Sequence, residues 1–215
     1  MKGIFDPDSP LMRTMNELGS IIWMSVLFVL CCLPVVTIGA SLTALYRMMF
    51  NLRQDKTCTA GAFFSAFASN FRHATVIWLL ELVFGAALYF AYGGLGLVEA
   101  SAPRMVLLVL FCVVFFLGGI VFLYAYPLTS FFENTVGNTL RNALLIGMKH
   151  YSRTVIAFAL SLIPGMVAVL SPAWFLRLLF IWLLIAPGLL VYWIGGILLK
   201  VFRNYVPGED TPATT

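Results

Sequence analysis

Residues 18–46 read LGSIIWMSVLFVLCCLPVVTIGASLTALY, and how this run is threaded decides the fold of the 215-residue chain. As one helix its 29 residues would extend roughly 43 Å at about 1.5 Å per residue, against roughly 30 Å of hydrocarbon in a bilayer. The run is too long for one upright crossing and too short for a hairpin of two. Pro34 stands near its middle, followed by Thr37, Gly39 and Ser41. The reading is therefore a single crossing with a helix break at Pro34, Thr37 and Gly39, continuing toward the cytoplasmic surface. A cleaved signal peptide would open on a basic segment, whereas Asp6, Asp8 and Glu17 precede this run.

Outward from it lie four more apolar stretches, at 74–98, 105–126, 154–171 and 178–199. The expected architecture is all-α: a polytopic transmembrane bundle of five spans forming a single integral membrane domain over residues 1–215, with a disordered tail over residues 206–215. Composition demands this class. The chain is 61% hydrophobic and 10% charged with a mean hydropathy of +0.98, far from the roughly 45–50% apolar and 25% charged norm of soluble domains. Its formal charge of +4 sits between apolar spans, where the lipid bilayer and its anionic headgroups account for it. No basic stripe alternates with an exposed aromatic platform, so no nucleic-acid partner is expected.

Lysine and arginine set the orientation. Arg47, Arg53, Lys56 and Arg72 follow the first span, Arg141, Lys149 and Arg153 follow the third, and Lys200 and Arg203 follow the fifth; Lys2, Arg13, Arg104 and Arg177 fall on the other side. Five crossings with that bias put the C-terminus in the cytoplasm and the N-terminus outside; were the first run re-entrant, the N-terminus would lie inside and the other four crossings would keep their direction. The two long basic loops read as amphipathic interfacial helices. In the first, Phe63, Phe64, Phe67 and Phe71 form an aromatic face for the headgroup boundary. In the second, Phe132, Val136, Leu140 and Leu144 form an apolar stripe, with Glu133, Asn134, Asn138, Arg141 and Asn142 on the wet side. That polar face is a candidate cytoplasmic docking surface.

Polar residues inside the spans are few. Glu81, early in the second span, is the sharpest, because an ionised carboxylate in hydrocarbon costs about 2.5–3.5 kcal/mol on insertion scales. At helical spacing it aligns with Gly85, Tyr89, Tyr92 and Gly96. Glu81, Tyr89 and Tyr92 are accordingly a candidate intramembrane polar site; the alternative is a carboxyl that hydrogen-bonds a neighbouring helix or reaches the headgroups. Cys31, Cys32, Cys58 and Cys112 show no metal or redox spacing, and His73 and His150 are isolated, so no metal or cofactor is expected. Enzyme activity is not expected either: no nucleophile elbow, zinc motif, phosphate loop or paired carboxylates occur. Gly188, Tyr192, Gly195 and Gly196 on the fifth span, and Gly118 with Gly119 on the third, suit close helix packing.

Three stretches carry a family resemblance: Phe5-Asp6-Pro7-Asp8-Ser9-Pro10-Leu11-Met12-Arg13; Cys31-Cys32-Leu33-Pro34-Val35-Val36-Thr37-Ile38-Gly39-Ala40; and Tyr126-Pro127-Leu128, with Phe132-Glu133-Asn134-Thr135 and Leu140-Arg141-Asn142-Ala143-Leu144 after it. With the closing Leu198-Leu199-Lys200-Val201-Phe202, the chain resembles the YesL-like family from end to end. These are small integral membrane proteins, mostly of Gram-positive bacteria, with a domain of unknown function and a gene context of carbohydrate uptake and breakdown. The resemblance implies a plasma-membrane protein whose partner is a sugar ABC transporter or a second copy of itself. A permease subunit is not expected, because the coupling-loop pattern is only imitated at Ala143 and Gly147. Two functions are weighed: a non-enzymatic accessory or regulatory component of carbohydrate uptake, and a small-solute transporter or channel built on Glu81 and its tyrosine face.

Overall fold

The computed structural model describes residues 10–97 and 101–205. The expected disordered tail at 206–215 and the acids Asp6, Asp8 and Glu99 lie outside the described residues. Regular structure among the described residues is entirely helical. Among the described residues six stretches are long and apolar enough to cross a membrane: Met12–Cys32, Val35–Arg53, Ala60–Leu95, Ser101–Phe131, Tyr151–Leu170 and Ala186–Tyr205. This is the helical bundle that the composition requires, with one more candidate span than the hydropathy pattern shows.

The extra span comes from the first run, which forms two helices rather than one broken crossing. Helix α1 (Pro10–Cys32) and helix α2 (Ile38–Arg53) are joined by a turn at Pro34 and a 3-10 turn over Val35–Thr37. The Thr37 hydroxyl donates to the carbonyls of Cys31 and Pro34, closing this corner. At the other end Arg13, near the start of α1, pairs with Asp55, just beyond α2. The two helices are therefore antiparallel, a hairpin that enters and returns at the same end of the bundle. Hydropathy missed it because both helices extend into polar sequence, α1 back past Glu17 and Asn16 and α2 onward through Arg47, Asn51 and Arg53. Length α2 can spare, since more than half of its most apolar window is buried in the protein.

That burial depends on small residues. Gly39, Ala40, Ser41, Thr43 and Ala44 are all buried along α2. Gly39 meets the backbone of helix α3 (Ala60–Leu95): a Cβ there would overlap the Ala74 carbonyl oxygen and stand 2.8 Å from Trp78 Cβ. Lipid tails provide no hydrophobic drive between helices, so close backbone approach of this kind supplies the contact energy.

Helix α3 corrects a second expectation. Its 36 residues run unbroken through the expected interfacial helix and the second span: no proline interrupts Ala60–Leu95, and the side chains of Ser69 and Asn70 donate back to the Ala66 carbonyl. Thr59 caps it, accepting from the Ala62 amide at 3.2 Å. Phe63 is wholly buried in the core while Phe64 is exposed, so the aromatic face packs partly inward.

Helix α4 (Ser101–Phe131) contains Pro127, and helix α5 (Val136–Lys149) folds back along it. Gly147 of α5 faces Ile120 and Tyr124 of α4. The buried face of α5 is Thr139, Ala143 and Gly147. The expected stripe of Phe132, Val136, Leu140 and Leu144 is half-buried at its flank. Helix α6 (Tyr151–Leu170) is followed by two short helices, α7 (Pro172–Arg177) and α8 (Leu179–Leu184), then by α9 (Ala186–Phe202). The fifth stretch is thus divided, with prolines in the first turns of α7 and α9, where their missing N–H costs nothing.

The ends of α2, α4 and α9 converge on an aromatic cluster. Phe202 meets Phe50 (ring centroids 6.2 Å apart), Phe131 (5.7 Å), Phe132 (5.9 Å) and Tyr124 (6.3 Å). Arg53 lies over the Tyr192 ring at 3.9 Å and donates through Nε to the Tyr192 carbonyl at 3.0 Å. The bare backbone at Gly196 admits the guanidinium, since a Cβ there would collide with it. Tyr192 in turn donates to Glu17 at 3.4 Å, and Glu17 pairs with Arg13 at 3.6 Å, tying α9 to the start of α1. This basic end holds Arg13, Arg47, Arg53, Lys56, Arg72, Arg141, Lys149, Arg153, Lys200 and Arg203, leaving Arg104 and Arg177 for the opposite end. The start of α1 and the end of α9 share that end, against the expectation of opposite sides.

A Gly39→Ala substitution should cost about 1–3 kcal/mol through overpacking against α3. A lower melting temperature of the detergent-purified chain reports it. Gly19→Ala, whose added methyl has open space around it, should leave the melting temperature unchanged or slightly raised.

Candidate functional site

Two regions hold polar residues of the expected sites. The first is intramembrane. Seven residues on from Ala74, Glu81 lies on the face of α3 that turns toward α2, where it is half-buried. Tyr126 of α4, almost fully buried, donates its phenol hydrogen to Glu81 Oε2. The pair stands on the wall of a cavity of about 600 Å³ bounded by α2, α3, α4, α6, α7, α8 and α9. Glycines create its flanks: Gly118 receives the ring of Phe84 and Gly119 the ring of Phe158. Phe84 stacks near Phe122 (5.7 Å), Phe115 near Phe158 (6.1 Å) and Phe175 near Trp182 (5.9 Å), so aromatic rings share the wall with aliphatic side chains.

Glu81 therefore has a structural partner, and its expected tyrosines are elsewhere. Tyr89 is 76% exposed beside Phe90, and Tyr92 is 66% exposed beside Phe111 of α4. Helical drift explains the difference. Tyr89 is about 80° around the helix from Glu81, whereas Leu88, one residue earlier, does line the cavity. Tyr92 keeps the angle but stands one turn beyond the cavity wall.

The second region is a polar groove of about 680 Å³ at the basic end. Its walls include Arg47 and Asn51 of α2, Ser69, Asn70 and His73 of α3, and the segment Thr129 to Asn134 leaving α4. Arg47 donates through Nη1 to the Ser130 carbonyl at 2.6 Å. Of the expected docking face, Glu133 and Asn134 line this groove; Asn138, Arg141 and Asn142 do not. The reason is that α4 ends at Phe131 and α5 begins at Val136, so Glu133 and Arg141 never share a helix. Thr135 caps α5 by accepting from the Asn138 amide at 3.4 Å. The cavity and the groove have no lining residue in common. Between them α3 contributes Ala74 and Ile77 and α4 contributes Leu128, all buried.

The expected break residues divide their roles: Pro34 and Thr37 turn the hairpin, and Gly39 makes the contact with α3. His150, between α5 and α6, lies 3.3 Å from the Tyr205 hydroxyl. Partial burial, with Arg153 and Lys149 nearby, holds its pKa below the ordinary histidine value. Burial likewise raises the Cys58 thiol, which donates to the Met48 carbonyl at 3.2 Å. Among the described residues no group of three His, Cys, Asp or Glu side chains is placed to hold a metal ion.

Sequence reasoning missed Tyr126 and Arg47. A signal for Tyr126 existed, since a phenol late in an apolar span needs a hydrogen-bond partner, and Glu81 needed one too.

The matching family model is described as "Protein of unknown function, DUF624". It covers residues 21–92, taking in most of α1, all of α2 and α3 through Glu81. No curated protein and no solved structure matches the chain.

Tyr126→Phe should destabilise the protein by about 1–3 kcal/mol by leaving a half-buried carboxyl oxygen without its donor. Tyr92→Phe should change stability by less than about 0.5 kcal/mol. Thermal unfolding of the two variants in the same detergent separates these outcomes.

Proposed function

We propose that this chain is a YesL-like protein of the bacterial plasma membrane that acts as a non-enzymatic accessory or regulatory component of carbohydrate uptake. The observation that carries the reading is the polar groove at the basic end. It brings Arg47, Asn51, Asn70, His73, Glu133 and Asn134 to one surface, at the end holding ten of the twelve described lysines and arginines. The positive-inside rule assigns such an end to the cytoplasm. The start of α1 and the end of α9 are then both cytoplasmic. A partner meeting this surface is the cytoplasmic face of a sugar ABC transporter, the system that the family resemblance points to.

The transporter alternative requires a polar path across the bilayer. The cavity beside Glu81 has largely apolar walls, and buried Ala74, Ile77 and Leu128 separate it from the groove. That arrangement favours a docking protein over a solute pathway.

Photo-cross-linking in native membranes tests the proposal. Benzoylphenylalanine at Asn70 or Asn134 should give an adduct with a transporter component, identified by mass spectrometry. The same probe at Val106 or Val109, exposed on the apolar surface of α4, should give none. Adducts at Asn70 and Asn134 confined to lipid or to a second copy of the chain would contradict it.

A further inference from the structure

We infer that the cavity beside Glu81 is a binding site for a lipophilic organic cation. The inference rests on the cavity alone and is independent of the docking groove.

Charge comes first. Among the described residues Glu81 is the sole acid on the cavity wall, and no lysine, arginine or histidine lines it. Tyr126 satisfies one carboxyl oxygen. A carboxylate offers about four lone-pair sites, so acceptor capacity is left over beside the cavity. In a low-dielectric site an acid without a cationic neighbour is the feature that a positively charged guest complements and an anionic one cannot.

The walls point the same way. Phe84, Phe115, Phe122, Phe158, Phe175 and Trp182 line the space, and aromatic faces attract cations. Apolar leucines complete the lining, which suits hydrocarbon attached to the charge. The volume of about 600 Å³ falls within the roughly 300–1,000 Å³ of small-molecule sites. Size, aromatic enclosure and one carboxylate together describe a receptor for a phosphonium or ammonium ion carrying apolar groups.

The test uses the full chain in zwitterionic lipid nanodiscs, with binding to empty nanodiscs subtracted. Tetraphenylphosphonium should bind saturably at one site per chain. Tetraphenylborate, of the same shape and opposite charge, should fail to compete. Glu81→Gln should weaken phosphonium binding roughly tenfold or more. Leu183→Trp, which adds bulk to the cavity wall from α8, a helix that carries neither Glu81 nor Tyr126, should weaken it comparably and keeps the test decisive if the first variant misfolds. Absence of saturable phosphonium binding, effective competition by the borate, or unchanged affinity in either folded variant would each overturn the inference.

Discussion

The architecture depends on one close approach, that of Gly39 on α2 to the α3 backbone at Ala74. Hydrocarbon outside the protein is as apolar as the side chains inside, so burial alone gives these helices no reason to associate. Contact of backbone on backbone does, and a single methyl at Gly39 would push the two helices apart. Because α2 is held so closely, it becomes the interior helix, packed against α1, α3, α4 and α9. Ser41 and Thr43 can be buried there because each hydroxyl donates to a carbonyl four residues back, at 2.9 and 3.0 Å.

Both candidate sites descend from that arrangement. The same face of α3 that receives Gly39 carries Glu81 inward to Tyr126, so this acid is positioned by the helix contact. The returning end of α2 delivers Arg47 and Asn51 to the groove, where Arg47 holds the last turn of α4. Glycine serves twice more, with Gly118 and Gly119 admitting the phenyl rings that floor the cavity and Gly196 admitting the Arg53 guanidinium. Small residues thus decide where large or charged ones can go.

Much of this was legible in the sequence. The all-helical membrane bundle followed from hydropathy, and Glu81 stood out because lipid rejects carboxylates. The glycines flagged on the third and fifth spans do sit at helix contacts. What hydropathy could not show is the amphipathic half of each helix. Arg13, Glu17, Arg47 and Arg53 lie in polar sequence, yet they belong to helices whose ion pairs and ring contacts close the hairpin. The continuity of α3 was hidden in the same way, by Arg72 and His73 looking like the end of a loop. Tyr89 and Tyr92 were chosen by spacing within one helix, whereas the partner of Glu81 came from another helix, a distance in sequence that periodicity does not measure.

The hairpin carries the account, because it fixes which helix ends share the basic side. Side-specific labelling of single cysteines with a membrane-impermeant maleimide in intact cells tests it directly. Cysteines introduced at Asn16, Lys56 and Arg203 should all resist labelling until the membrane is opened, while cysteines at Ala102 and Ala173 should label at once. Labelling of the Asn16 position from outside, together with Ala102, would mean that the first run crosses only once and would contradict the fold described here.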